Sequence, residues 1–160
     1  MTAPVMEGKE SRMPPVITKQ EFRAPADLLH DEIMRLRLAP NFKPELVAVN
    51  PLVGTWVNCN HQTRGLVRLI IAASGKDITL HGFGACSPSP CDWGVAPGLV
   101  YAENVTAIPA VAFTATYNFG FKQTAIVGHL RNGALLVEVF DHFIDNSGRS
   151  DYYSQEILVQ

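Results

Sequence analysis

From Val53 to the carboxyl terminus, apolar and polar residues alternate with a period of two, in segments separated by short connections rich in glycine, asparagine and serine. The pattern predicts eight strands, over 53–59, 65–73, 77–85, 97–105, 110–118, 121–130, 134–143 and 151–159. Ser74-Gly75-Lys76, Asn118-Phe119-Gly120, Asn132-Gly133 and Asn146-Ser147-Gly148 each supply residues that accept positive φ, so successive strands are expected to be antiparallel neighbours. Asn132-Gly133 is the dipeptide that a two-residue type I′ hairpin turn requires. The rhythm breaks over 86–97, where Pro88 and Pro90 stand between Cys86 and Cys91, followed by Asp92-Trp93-Gly94. That segment reads as a structured loop, the kind of place where functional residues gather.

Before the strands the period is different. Residues 1–23 mix charges with Pro4, Pro14 and Pro15 and read as an extended or disordered arm. Residues 24–38 predict one amphipathic helix: Pro25 suits a first helical position, and Asp27, Asp31 and Glu32 sit early. Arg35 and Arg37 sit late, and Leu29, Ile33 and Leu36 form one apolar stripe. Pro40 and Pro44 end it. The helix is expected to plug or pack on the barrel described next, with partner binding as the alternative.

Eight meandering strands with one apolar face cannot persist as an open sheet in water, because both edges and that face would be exposed; closure removes the edges. The expected fold is all-β, an eight-stranded antiparallel up-and-down barrel with one N-terminal helix, forming a single domain over 24–160. Such a barrel has room inside for side chains or for one small ligand.

The formal charge of the 160-residue chain is −2, with 13 basic and 15 acidic residues interspersed. No basic stripe exists to follow a phosphate backbone, which argues against a nucleic-acid partner. Apolar runs such as 66–73, interrupted by Arg68, are too short to span a bilayer, so no membrane span is expected. Residues 1–11 carry neither a basic nor an apolar signal region, which points to the cytoplasm. Cys59, Cys86 and Cys91 do not make a secreted disulfide framework, and thiols are the favoured reading. A Cys86–Cys91 bridge across Ser-Pro-Ser-Pro is the alternative. Self-association into a homo-oligomer is left open.

Gly54-Thr55-Trp56, at the head of the meander, resembles the first-strand Gly-x-Trp of the lipocalins and their calycin relatives, with the likeness running over about residues 50 to 160. The resemblance implies that Trp56 packs at the closed end of the barrel, with Arg149 as the nearest candidate for a cation over it. The short 60–64 turn is more similar to intracellular relatives, among them fatty-acid-binding and haem-binding barrels and barrel-shaped cyclases. It implies a ligand in the cup.

Strand parity nominates the rest. Phe113, Ala115, Tyr117 and Phe119 share one face and are expected to point inward, either as packed core or as cavity lining. On 135–143 the apolar set with Asp141 should face inward, leaving Glu138 and His142 outside. With reversed parity Glu138 and His142 would enter the cup as general base and acid. His81 stands opposite in parity to Ile78 and Leu80, next to Gly82 and Gly84, and is read as structural rather than as a metal or haem ligand. Asp92 and Trp93 would sit at the rim, Trp93 either capping a ligand or anchoring the loop.

The expected function is binding of one mainly apolar small molecule in the cup, with Trp56, Phe113, Tyr117, Phe119, Trp93 and Tyr152 as contacts and with no metal or cofactor. The alternative is a cofactor-free enzyme of the cyclase or isomerase type, acting on a biosynthetic intermediate in the same cavity. Asp141, His142, Glu138 and Asp92 would be its candidate catalytic residues, with Tyr117 or Tyr152. Neither G-x-S-x-G, nor H-E-x-x-H, nor a phosphate or dinucleotide loop is present, so nucleophilic hydrolysis and kinase chemistry lose support.

Overall fold

The computed structural model describes residues 47–160, so the predicted arm (1–23) and helix (24–38) lie outside the described residues. The chain from Gly54 onward forms β1 (Gly54–Asn58), β2 (Leu66–Ser74), β3 (Asp77–Gly84), β4 (Cys91–Ala102), β5 (Ala110–Asn118), β6 (Lys122–Arg131), β7 (Ala134–Phe143) and β8 (Tyr152–Val159). Every strand pairs antiparallel with the next, and β8 returns to β1 through Val57 opposite Val159 and Asn58 opposite Leu158, so the barrel is closed. The turns form as their residues dictate: Asn132 and Gly133 both take positive φ, 52° and 78°, which joins β6 to β7 in register from Lys122–Phe143 to Arg131–Ala134.

β4 departs from the sequence pattern. It begins at Cys91, well before the predicted start at 97, and pairs Gly84 with Cys91 and Phe83 with Asp92. Gly94 at φ 78° and a register shift opposite Gly82 absorb an irregularity that hides the period of two. The segment read as a long loop is therefore mostly strand, and the connection between β3 and β4 is the short stretch 85–90. Cys86 and Cys91 close it as a disulfide, with Cα atoms 5.4 Å apart, where thiols were the favoured reading. Cys59 is free and exposed.

The two ends of the barrel differ. At the floor, where β1, β3, β5 and β7 begin, residues 47–53 lie against the start of β5. Ala48 donates its N–H to the Ile108 carbonyl at 2.7 Å and accepts from the Ala110 N–H at 2.8 Å. This segment brings Val49 and Leu52 into the core, and the Trp56 indole N–H donates to the Leu52 carbonyl at 2.8 Å. Trp56 thus packs at the closed end, but no cation stands over it among the described residues. Arg149, expected there, lies instead over Phe143 and Phe121, 4.2 and 5.4 Å from the ring centres, at the opposite end. The loop carrying Arg149 connects β7 to β8 at the mouth, which places it a barrel's length from Trp56.

Between the ends the interior is filled. Leu66, Leu69, Ile71, Ile78, Leu80, Phe113, Ile126, Leu135, Val137 and Leu158 are each less than 2% exposed. Each Leu, Ile or Phe removed from water in this way contributes about 1.5–3 kcal/mol. Gly128 leaves the space that the Phe113 ring occupies. The outer rows of β4, β7 and β8 leave Leu99, Tyr101, Phe140, Tyr153 and Ile157 exposed.

Candidate functional site

The packing stops short of the mouth. Above the core a cavity of about 400 Å³ opens, within the range of small-molecule sites. Its apolar walls are Leu66, Val139 and Trp93, and the Cys86–Cys91 bridge forms part of its edge. Trp93 reaches this position because β4 starts early and because Gly82 and Gly84 have no Cβ: a methyl group at either would sit 2.8 Å or 2.5 Å from the indole. Tyr117 and Phe119 support it edge-on, at 5.7 and 5.8 Å between ring centres.

Two carboxylates, each with its own polar partners, face this cavity. At the rim, Asp141 accepts a hydrogen bond from Thr124 Oγ1 and forms an ion pair with Lys122 Nζ at 3.0 Å. The Tyr152 phenol stands beside the same carboxylate, and partial burial, then the influence of Asp141 as acceptor and as charge, push its pKa up. Deeper in, Glu156 accepts from Asn58 Nδ2 at 2.6 Å and from Thr63 Oγ1 at 2.8 Å. Asn58 Nδ2 also donates to the Leu66 carbonyl at 2.8 Å, which fixes the amide. Gly65 packs against Glu156 Oε1, where a Cβ would stand only 2.6 Å away. In the ladder Asp141 is opposite Tyr152, whereas Glu156 is opposite Val137. The two levels are four residues apart along each strand, about 13 Å at the rise of a β-strand.

Of the sequence-predicted residues, Asp141, Tyr152 and Trp93 line the cavity. The others fall elsewhere. Glu138 and His142 lie on the outer face, as the favoured parity had it and against a catalytic role in the cup. Glu138 accepts from the Tyr153 hydroxyl at 3.2 Å, and His142 Nδ1 is 2.7 Å from Asp151 Oδ2. A shallower depression of about 330 Å³ beside His142 is bounded by Phe140 and Tyr153 on that outer side.

Asp92 also points outward, since its neighbour Trp93 takes the inward position. It pairs with His81 Nε2 at 2.6 Å and accepts from the Gly94 N–H at 2.7 Å. The Gly94 bond, then the His81 bond, hold its carboxyl below the usual range. Trp56, Phe113 and Tyr117 point inward but belong to the packed interior below the cavity. Tyr117 donates to the Leu80 carbonyl at 2.6 Å and accepts from the Gly82 N–H at 3.1 Å, so its hydroxyl is occupied. Phe119 is a partly buried ring in edge contact with Trp93.

Lys122, Ser154, Glu156 and Asn58 were not singled out in the sequence. On β8 the outward set Tyr153, Gln155, Ile157 and Val159 is the more apolar one, so alternation points to the wrong face there. Only the register against β7 places Glu156 inside. Among the described residues no three His, Cys, Asp or Glu side chains gather as a metal site, and no helix is long and apolar enough to cross a membrane. No protein-family model matches the chain, and no curated protein or solved structure does so either.

Proposed function

We propose that the barrel binds one small molecule with an apolar body at its mouth. The observation that carries this reading is the cavity itself: about 400 Å³, walled by Leu66, Val139 and Trp93 and flanked by fixed polar groups, above an interior that is otherwise filled. An apolar concavity with a few oriented polar groups is the general form of a ligand site. The likeness of Gly54-Thr55-Trp56 and the meander to the calycin barrels supports the same reading. The expected ligand is shorter than a deep-cup occupant, because it rests on the core rather than replacing it.

The test is a titration with phenylnaphthylamine, an uncharged fluorophore that brightens when desolvated. One saturable site is expected, with affinity reduced by about tenfold or more in Trp93→Ala, the loss of roughly one aromatic contact. Val95→Ala, on the exposed outer wall, should leave it unchanged. Equal affinity for both variants would remove the mouth from consideration.

A second reading, the cofactor-free cyclase or isomerase, draws on one observation: Asp141, Tyr152 and Lys122 converge at the cavity rim. A phenol beside a carboxylate that is itself paired with an ammonium can serve as a proton donor. The second carboxylate, Glu156, stands four residues further along the strands and is held by Asn58 and Thr63, apart from that group. The separation favours a site that grips two ends of a ligand.

A further inference from the structure

Glu156 is the buried ionisable group that the fold does not neutralise. It is 9% exposed and lines the cavity, and both its oxygens accept hydrogen bonds from uncharged donors, Asn58 Nδ2 and Thr63 Oγ1. No cationic side chain forms an ion pair with it among the described residues. Two cations line the cavity: Lys122 is engaged by Asp141 at the opposite pole, and Arg64, next to Thr63, is largely exposed and makes no ion pair with Glu156. A carboxylate removed from water costs stability unless charge and lone pairs are met, and two neutral bonds leave acceptor capacity unused. Glu156 lines the cavity, so a donor carried by a bound molecule can reach that unused capacity.

Resting on the mouth-site reading above, we propose that the Glu156 pole recognises a cationic nitrogen, so that the ligand class is an amine with an apolar body carried as its ammonium. The ammonium donates to Glu156, the body lies along Leu66, Val139 and the Trp93 ring, and the far end meets the Asp141–Lys122–Tyr152 cluster. The Trp93 face adds attraction for a cation passing over it. A carboxylate-bearing ligand of the same shape meets Glu156 with like charge and is disfavoured.

The experiment compares phenylbutylammonium with phenylbutanol by calorimetry on the full chain. A charge-assisted hydrogen bond predicts that the ammonium binds about ten- to a hundredfold more tightly than the alcohol. Glu156→Gln should erase that preference while leaving the alcohol's affinity in place. Equal affinity of the two probes for the native protein overturns the proposal and leaves the mouth site standing. Persistence of the preference in Glu156→Gln also overturns it. Binding of neither probe overturns both this proposal and the reading it rests on. A measurement on the native protein does not depend on the variant folding: in nitrogen-edited NMR spectra the ammonium probe should move the Glu156 and Thr63 amides further than the alcohol does. Ammonium-specific shifts confined to Lys122 and Asp141 overturn the assignment.

Discussion

The phenol of Tyr117 joins two strands by donating to Leu80 and accepting from Gly82, and it does so from a position only 4% exposed. Removing the hydroxyl leaves a carbonyl and an N–H short of a partner, so Tyr117→Phe should lower the unfolding free energy by about 1–3 kcal/mol. Chemical denaturation measures it. Burial, the largest cause, pushes this phenol up to about 12. Above about pH 10 an unfolded tyrosine releases a proton that the folded chain retains, so stability falls as pH rises through the window up to about 12. Tyr117→Phe should lack that part of the alkaline loss. An alkaline limb of the same steepness in both proteins would contradict the burial of this hydroxyl. At this scale the sequence was readable wherever alternation was clean: Phe113, Ala115 and Tyr117 face inward as their parity requires. It was unreadable at Glu156, because β8 carries its more apolar residues on the outer row.

Among the elements, seven strands stand within a residue or two of the boundaries that alternation predicts, since hairpin turns with glycine and asparagine pin them from both sides. β4 is the exception, and for a physical reason: Gly94 at positive φ lets the strand continue through a bulge that reads as an interruption in one dimension. That error bears on the site, because the early start of β4 is what turns Trp93 inward and Asp92 outward. The segment 47–53 carries no periodic signal, yet it closes the floor through Leu52, which is fully buried. Leu52→Ala should therefore cost about 2–5 kcal/mol, as a large-to-small change in a filled core does. Thermal or chemical unfolding measures it, and phenylnaphthylamine affinity at the far end should be unaffected below the transition. A cost under about 0.5 kcal/mol, the usual size for a surface site, would show that the segment is not part of the core.

For the whole molecule, the barrel was legible and its use of space was not. Strand count and closure follow from periodicity and from the cost of open edges, but whether an eight-stranded interior holds side chains or a ligand depends on volumes that alternation does not encode. Here the side chains win over most of the length: Phe113 fills the space beside Gly128, and Leu52 fills the floor. The remaining space lies at the mouth between Trp93, Leu66 and Val139, with Glu156 at one pole and Asp141 at the other. The central claim is that this space, and not the interior beneath it, takes the ligand. The most direct measurement is an NMR map of native protein titrated with phenylnaphthylamine. Shifts and intermolecular contacts are predicted at Leu66, Gly84, Trp93, Val139 and Ser154. Contacts centred on Leu69, Ile78, Phe113 or Ile126, or spread over the outer wall, would contradict it.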